Sequence, residues 1–286
     1  GGLFHGDHEV PNFDEPMKRF LLDEVSAAVD WSQISPTIFG GIFESTLNPE
    51  TRRSGGMHYT TVEAIHKVID PLFLDGLRAE FSAIRDAAGL TPRQRKGRYA
   101  RLHAKMCSLT FLDPACGSGN FLTETYLSLR QLEDAVLMEL RGGQAGFAFG
   151  EGDASGQRVS LSQFYGIEIN DFAVTVAEAA LWISRLKANG ETSMLLDADE
   201  DFPLTESAHL VHGNALSADW NDVLSADSCS YIIGNPPFVG YSYLTDEQKA
   251  DRLRICGKGS GFLDYVACWY RKAADYIADL PIRCAL

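Results

Sequence analysis

Between residues 17 and 31 the apolar side chains Phe20, Leu21, Val25, Ala28 and Val29 recur at helical spacing. Ser35-Pro36 predicts a second helix start, followed by Ile38, Phe39, Ile42, Phe43 and Leu47. A turn-rich stretch covers 48–56. Thr60 is then placed to cap a helix opening Thr61-Val62-Glu63, with Glu63 at capping-box spacing. That helix is expected to reach Pro71 and to resume as far as Ala88. Thr91-Pro92 restarts the pattern through Lys105. The first hundred residues therefore read as all-helical.

The pattern changes at Ser108. A buried strand is expected over 109–112, then a helix over 119–140 closed by Gly142-Gly143. The Gly-, Ser- and Ala-rich stretch 142–160 reads as a surface loop. A second strand follows over 164–169, and Asp171 is placed to cap a helix ending near Asn189, before Gly190. Short strands are expected at 208–212 and 230–233, a helix over 263–277, and a fifth strand from Ile282. Apolar strands alternating with helices predict an α/β fold whose parallel sheet is covered on both faces.

Composition narrows this little. The chain has 286 residues, 45% of them hydrophobic, which is ordinary for a globular domain with a substantial core. It contains no apolar run of membrane-spanning length and no cleavable leader pattern, so no membrane association is expected. The six cysteines show no Cys-x-x-Cys pair and no zinc-like spacing with histidine, and His58 and His66 are too far apart for one helix face. Free thiols in a reducing cytoplasm and no metal are the expectation. The opening Gly1-Gly2-Leu3-Phe4 and the closing Ile282 to Leu286 read as cuts from a longer protein.

Charge is uneven. The net charge of −14 argues against strong polyanion binding by this chain alone. From Arg93 to Lys105 there are six basic residues and no acidic one. From Glu191 to Asp227 there are nine acidic residues and no Lys or Arg. The basic run has two readings, a solvated helix face or a binding surface.

Three places carry candidate chemistry. Ile232-Ile233-Gly234-Asn235-Pro236-Pro237-Phe238 runs a β-branched strand into a stiff turn, because two successive prolines lack N–H and fix φ. Such a turn can hold an amino group against fixed carbonyls. Asp113-Pro114-Ala115-Cys116-Gly117-Ser118-Gly119-Asn120-Phe121 joins the first strand to its helix, where small residues let a ligand approach the backbone. Position 122 is Leu rather than a third glycine, and no Lys-Ser/Thr of a phosphate loop follows. Asp113 would disfavour phosphates and favour a cationic ammonium or sulfonium. Glu168, at the end of the second strand, is placed to accept ribose hydroxyls. It lies about fifty residues beyond the glycine turn, a separation that the long helix and loop explain. The bland alternative for it is a surface glutamate before a helix cap.

Together these residues resemble the class I S-adenosylmethionine-dependent DNA methyltransferases that modify the N6 of adenine. Asp113, Ala115, Cys116, Gly117, Gly119 and Phe121 match their first motif, and Glu168 with Ile169 the ribose-binding acid and its neighbour. Asn235, Pro236, Pro237 and Phe238 match the catalytic Asn-Pro-Pro-aromatic turn. Asn214 and Ala215, in His212-Gly213-Asn214-Ala215-Leu216, fit the loop that contacts the cofactor adenine. Gly56-Met57-His58-Tyr59-Thr60 resembles the upstream motif that closes over the methionine end, although its usual Thr-Pro is Thr60-Thr61 here.

The motif order is similar to large restriction–modification enzymes that fuse nuclease, methyltransferase and target-recognition regions. The resemblance implies a Rossmann-like class I methyltransferase sheet (108–286, stopping before its last strands) behind a helical region (1–107). It implies S-adenosylmethionine as cofactor, double-stranded DNA as partner, a bacterial cytoplasmic setting, and nuclease and target-recognition regions outside this chain. A domain so shortened is expected to bind the cofactor weakly or not at all by itself, and to methylate little. The family's chemistry assigns the Asn235 side-chain oxygen and the Pro236 carbonyl as acceptors for the two amino hydrogens, with Phe238 stacking on a flipped base.

Asn-Pro-Pro-aromatic turns also occur in methyltransferases of RNA guanine and of protein glutamine, and a non-catalytic cofactor-binding scaffold is a further alternative. Cys116 has no Pro-Cys pair that would make it a cytosine-C5 nucleophile. Glu247-x-Lys249 fits the tail of a nuclease motif only by a short pattern. Trp31, Phe39 and Phe43 read as core.

Overall fold

Five short strands, all parallel to their neighbours, form one sheet in the order β3-β2-β1-β4-β5. They are β1 (Phe111–Asp113), β2 (Phe164–Glu168), β3 (His209–His212), β4 (Tyr231–Ile233) and β5 (Arg283–Ala285). The computed structural model describes residues 12–27, 38, 41, 60–141, 158–196 and 206–286. The chain builds outward from β1 to β3 and then returns to lay β4 on the other side of β1. The strand order therefore reverses between β1 and β4, the place where open α/β sheets bind ligands beyond their carboxyl ends.

Among the described residues the helices are α1 (Glu15–Arg19), extended by a π-helical segment Phe20–Ala27, then α2 (Val62–Ile69), α3 (Asp75–Asp86) and α4 (Pro92–Ser108). Within the sheet region come α5 (Asn120–Leu140), α6 (Asp171–Leu196), α7 (Asp246–Cys256) and α8 (Ala267–Ile277). The expected helix start at 35–36, the aromatic residues Trp31, Phe39 and Phe43, Tyr59, and most of the 142–160 loop lie outside the described residues.

Four local expectations shift. Thr61, not Thr60, caps α2: it is extended (φ −68°, ψ 156°) and its hydroxyl accepts the Ala64 N–H at 3.3 Å. Pro71 does not stop the helix, because a π-helical turn, Asp70–Leu74, absorbs the missing N–H and links α2 to α3. Asn170, not Asp171, offers its side-chain oxygen to the third N–H of α6, that of Ala173. That helix also runs past Gly190 to Leu196. A helical glycine costs about 1 kcal/mol relative to alanine. Here the turn is held by its neighbours, since Arg130 donates to Asn189 at 2.8 Å and to Thr192 at 3.0 Å, and Thr192 donates to Asp134.

Successive side chains of β1 point to opposite faces, and the core divides accordingly. Phe111 joins Ile65, Phe73, Leu102, Leu129 and Phe164 on one face, while Leu112 joins Ile167, Trp220, Ile232 and Trp269 on the other. Phe111 stacks on Phe164 at 5.3 Å and touches Phe73 at 5.1 Å, so the helices before the sheet share its core. Truncating such a buried phenylalanine to alanine costs about 3–5 kcal/mol. A polar clamp adds to this packing. His66 of α2 lies between Asp70 (Nδ1 to Oδ1, 2.8 Å) and Glu124 of α5 (Nε2 to Oε1, 3.0 Å). The basic run on α4 is largely a solvated face; Arg95 donates to backbone carbonyls at the end of α3, and Lys105 pairs with Glu80.

Candidate active site

The carboxyl ends of β1, β2, β3 and β4 open onto one cavity of about 590 Å³, inside the ~300–1,000 Å³ range of small-molecule sites. It is lined by Asp113, Ala115, Cys116, Gly117 and Phe121 from the first turn, Glu168 and Ile169 after β2, Asn214 and Ala215 after β3, Asn235 and Pro237 after β4, and Thr60 from the helical region. Of the remaining candidates, Gly119, Pro236 and Phe238 do not line it.

The first turn is a tight backbone cradle. Asp113 Oδ1 accepts the Ala115 N–H at 3.0 Å, the Cys116 N–H reaches the Ile167 carbonyl at 3.1 Å, and the Gly119 N–H returns to the Cys116 carbonyl at 2.8 Å. Gly119 caps α5 with φ 80°, and a Cβ there would come within 2.9 Å of Ala177 Cβ on α6, so only glycine fits. Asp113 is only 1% exposed. Burial pushes its carboxyl up to about 8, and the nearby Glu168 charge adds to this against the Ala115 hydrogen bond. Burial likewise pushes the Cys116 thiol well above its ordinary value, which makes it a poor nucleophile.

Glu168 is a buried carboxylate rather than a surface one, being 8% exposed. Its two oxygens accept the Gly117 N–H at 2.9 Å and the Asn170 N–H at 2.9 Å, tying the ends of β1 and β2 together. Burial raises its pKa against those hydrogen bonds. Each oxygen keeps a lone pair for a hydroxyl donor. Beside it the Ile169 side chain is 65% exposed, an apolar surface next to the cavity.

The far wall comes from α7 and the start of α8, which sequence reasoning did not include. Asp251 accepts from Asn214 Nδ2 and from the Tyr265 hydroxyl, each at 3.0 Å, and pairs with Arg254. Asn214 Oδ1 meanwhile accepts the Leu216 N–H at 2.9 Å, so both ends of that amide are engaged. The hydrogen bonds to Asp251 hold its pKa below the usual carboxylate value against partial burial. Trp269 lines the cavity and donates its indole N–H to the Pro114 carbonyl at 3.0 Å. The Thr245–Gln248 capping box marks where α7 begins, but nothing local in the sequence marks which of its residues face Asn214. Glu247 lines this cavity from that helix.

On the β4 side, Gly234 and Pro236 are buried while Phe238 is 58% exposed. The turn is tied from below, as the Val239 carbonyl accepts the Tyr265 N–H at 2.9 Å. Asn235 Nδ2 donates to Thr60 Oγ1 at 3.2 Å, joining the upstream threonine to the Asn-Pro-Pro turn across 175 positions of sequence. Away from this cavity, His103, Cys107 and Glu133 bring a nitrogen, a sulfur and an oxygen within 4.8 Å of one another. Glu133 Oε1 already faces His103 at 2.8 Å and accepts the Val159 N–H at 2.9 Å, while its other oxygen pairs with Arg130, so hydrogen bonds account for the cluster.

The family model described as "MmeI, DNA-methyltransferase domain" matches residues 90–286. The chain belongs to that family. The structure of the Type IIL restriction-modification enzyme MmeI in complex with DNA superposes on this MmeI-type domain with a TM-score of 0.82 and 41% identity, over 97% of this chain and 36% of that one. "DNA methyltransferase A" of Bacillus subtilis (strain 168) is 34% identical over 292 residues, covering 100% of this chain and 31% of the relative. A "Putative type II restriction enzyme and methyltransferase" of Methanocaldococcus jannaschii is 25% identical over 249 residues, covering 79% of this chain and 20% of the relative. The chain thus spans about a third of the length of the first two. The family and fold agree with the resemblance read from the motifs. No described helix is long and apolar enough to cross a membrane.

Proposed function

We propose that the protein containing this chain transfers a methyl group from S-adenosylmethionine to the N6 amino group of adenine in double-stranded DNA, within a bacterial restriction–modification system. One observation carries this reading: Asn235 and Pro237 of the rigid Asn-Pro-Pro turn and the buried Glu168 carboxylate open onto the same cavity of an MmeI-type domain. The donor and acceptor set fits the cofactor. The free lone pairs of Glu168 suit a ribose diol, Ile169 offers an apolar face to a base, and Asn214 and Ala215 line the same cavity. Asp113 is a buried carboxyl that a neighbouring cation would ionise, which suits an ammonium or sulfonium and repels a phosphate. Thr60, with Tyr59 before it, is assigned to the methionine end.

When bound, S-adenosylmethionine supplies an activated methyl carbon on a sulfonium leaving group. The chain's own task is to make a poor nucleophile attack. The adenine N6 lone pair is delocalised into the ring, and acceptors for both amino hydrogens favour its pyramidal form. Asn235 Oδ1 and the Pro236 carbonyl take that role, held by the fixed φ of the prolines. Phe238 is exposed and free to stack on a base turned out of the duplex, at an unstacking cost of a few kcal/mol. Alignment and fixed dipoles then supply most of the rate. A charge of −14 assigns the phosphate contacts to the rest of the polypeptide, together with target recognition and any nuclease.

The test is transfer of tritiated methyl groups by the full-length protein to DNA, RNA and a glutamine peptide. Label in DNA alone is expected, and label confined to the peptide or to RNA refutes the proposal.

A further inference from the structure

The Thr60 hydroxyl touches the catalytic turn itself, which a role limited to the cofactor does not require. We infer that Thr60 is a positioning residue for the methyl-transfer step, acting through Asn235: its hydroxyl hydrogen-bonds the Asn235 side-chain amide and holds it in one orientation at the turn. This rests on the reading of Asn235 as the acceptor for the substrate amine.

The physical problem is specific to asparagine. Its two amide ends are nearly identical in shape, so packing does not distinguish them, yet one is an acceptor and the other a double donor. Facing the substrate amine with NH₂ sets donor against donor and stops the reaction. The backbone around Asn235 is already confined. Pro236 confines its backbone, and the preceding Gly234 is pressed against Asp113, where a Cβ would meet Oδ1 at 2.5 Å. Rotation of the side-chain amide is the freedom that remains. The bond from Asn235 Nδ2 to Thr60 Oγ1 at 3.2 Å restrains it, and in this arrangement Oδ1 is turned the other way.

The local sequence explains why Thr60 is available. Two threonines precede α2, and the backbone at Thr61 is extended, so their side chains diverge. Thr61 takes the capping position, leaving the Thr60 hydroxyl for the turn. The position of Thr60 is itself fixed by α2, which is pinned to α5 through His66 and Glu124.

The test is single-turnover methyl transfer by the full-length protein at saturating S-adenosylmethionine, with cofactor affinity measured by calorimetry. The acceptor is whichever one the unaltered protein methylates. Thr60→Val keeps the shape and removes the acceptor; losing a preorganised contact of this kind should slow transfer roughly tenfold or more. Thr60→Ser restores the acceptor and should recover most of the rate. Cofactor binding reports that the variants are folded, and Thr60→Ala is read in the same way if the valine variant does not fold. An unchanged rate, a deficit that saturating cofactor removes, or a deficit that serine does not rescue each overturns the inference. These outcomes are distinct from failure of the functional reading itself, in which the unaltered protein would not methylate DNA adenine.

Discussion

A Cβ built on Gly234 would lie 2.5 Å from Oδ1 of Asp113. The Asn-Pro-Pro turn after β4 and the glycine turn after β1 are therefore in direct contact, and the glycine ahead of Asn235 leaves room for it. Gly234 also has φ 151°, which side chains rarely adopt. Gly234→Ala should cost about 1–3 kcal/mol in backbone strain alone. The clash should add a displacement of Asn235. Thermal melting of the full-length protein should show a lowered Tm, and methyl transfer should fall by more than the loss of folded protein explains.

The same contact gives a pH signature. Burial raises the Asp113 carboxyl to about 8 from an unfolded value of 3.8. Between these values the folded state holds a proton that the unfolded state has lost, so this group makes stability fall as pH rises from about 4 to about 8. Asp113→Asn should flatten that part of the stability profile. A cationic ligand favours the ionised carboxyl, so cofactor affinity should rise as pH passes through about 8 in the unaltered protein and not in the variant. Thermal melting at several pH values reads the first effect, and calorimetric titration at the same pH values reads the second.

On the β2–β3 side, Asp251 holds Asn214 and Tyr265 in place. A hydrogen bond to a charged group contributes about 1.5–3 kcal/mol, so Asp251→Ala should weaken cofactor binding by about ten- to a hundredfold. Asp251→Asn should lose less, because it can still accept from Tyr265. The rate at saturating cofactor should be nearly unchanged in both. A large fall in that rate with normal affinity would show that α7 serves the transfer step instead.

How much of this was legible in the sequence depends on whether the cause was local. Hydrophobic periodicity placed the five strands and most of the described helices, because burial on a sheet or along a helix face repeats along the chain. The end of β1 with its glycine turn, and β4 running into Asn-Pro-Pro, were readable because backbone chemistry there is dictated by glycine and proline. The choice between Thr60 and Thr61 as cap was not readable, since both can cap and a partner 175 positions away claims the first. Gly190 suggested an end to α6 because the anchoring of Asn189 and Thr192 by Arg130 comes from another helix. Asp251 was invisible for the same reason: α7 is a mainly polar helix whose inward face is decided by Asn214 and Tyr265.

His66 supplies a second pH dependence in the same direction, at a different place in the fold. Partial burial disfavours its charged form, but hydrogen bonds to Asp70 and Glu124 prevail and raise its pKa above 6.5. Its contribution to stability is fully present below about 6.5 and is lost as pH rises through the raised folded value. Amide hydrogen exchange in α2 should therefore accelerate with pH beyond the intrinsic chemical dependence, and His66→Gln should remove that excess. Equal protection of α2 in both proteins across this window would show that apolar packing alone holds the helix.

The most direct measurement identifies the methylated base. DNA treated with the full-length protein and S-adenosylmethionine is digested to nucleosides and resolved by mass spectrometry, beside an Asn235→Ala control. N6-methyladenine in the first sample and its absence in the second are the expected result, with cofactor affinity of the variant largely kept. Methylation appearing only on cytosine, or N6-methyladenine formed equally well by Asn235→Ala, would contradict the assignment of the Asn235-Pro236-Pro237 turn.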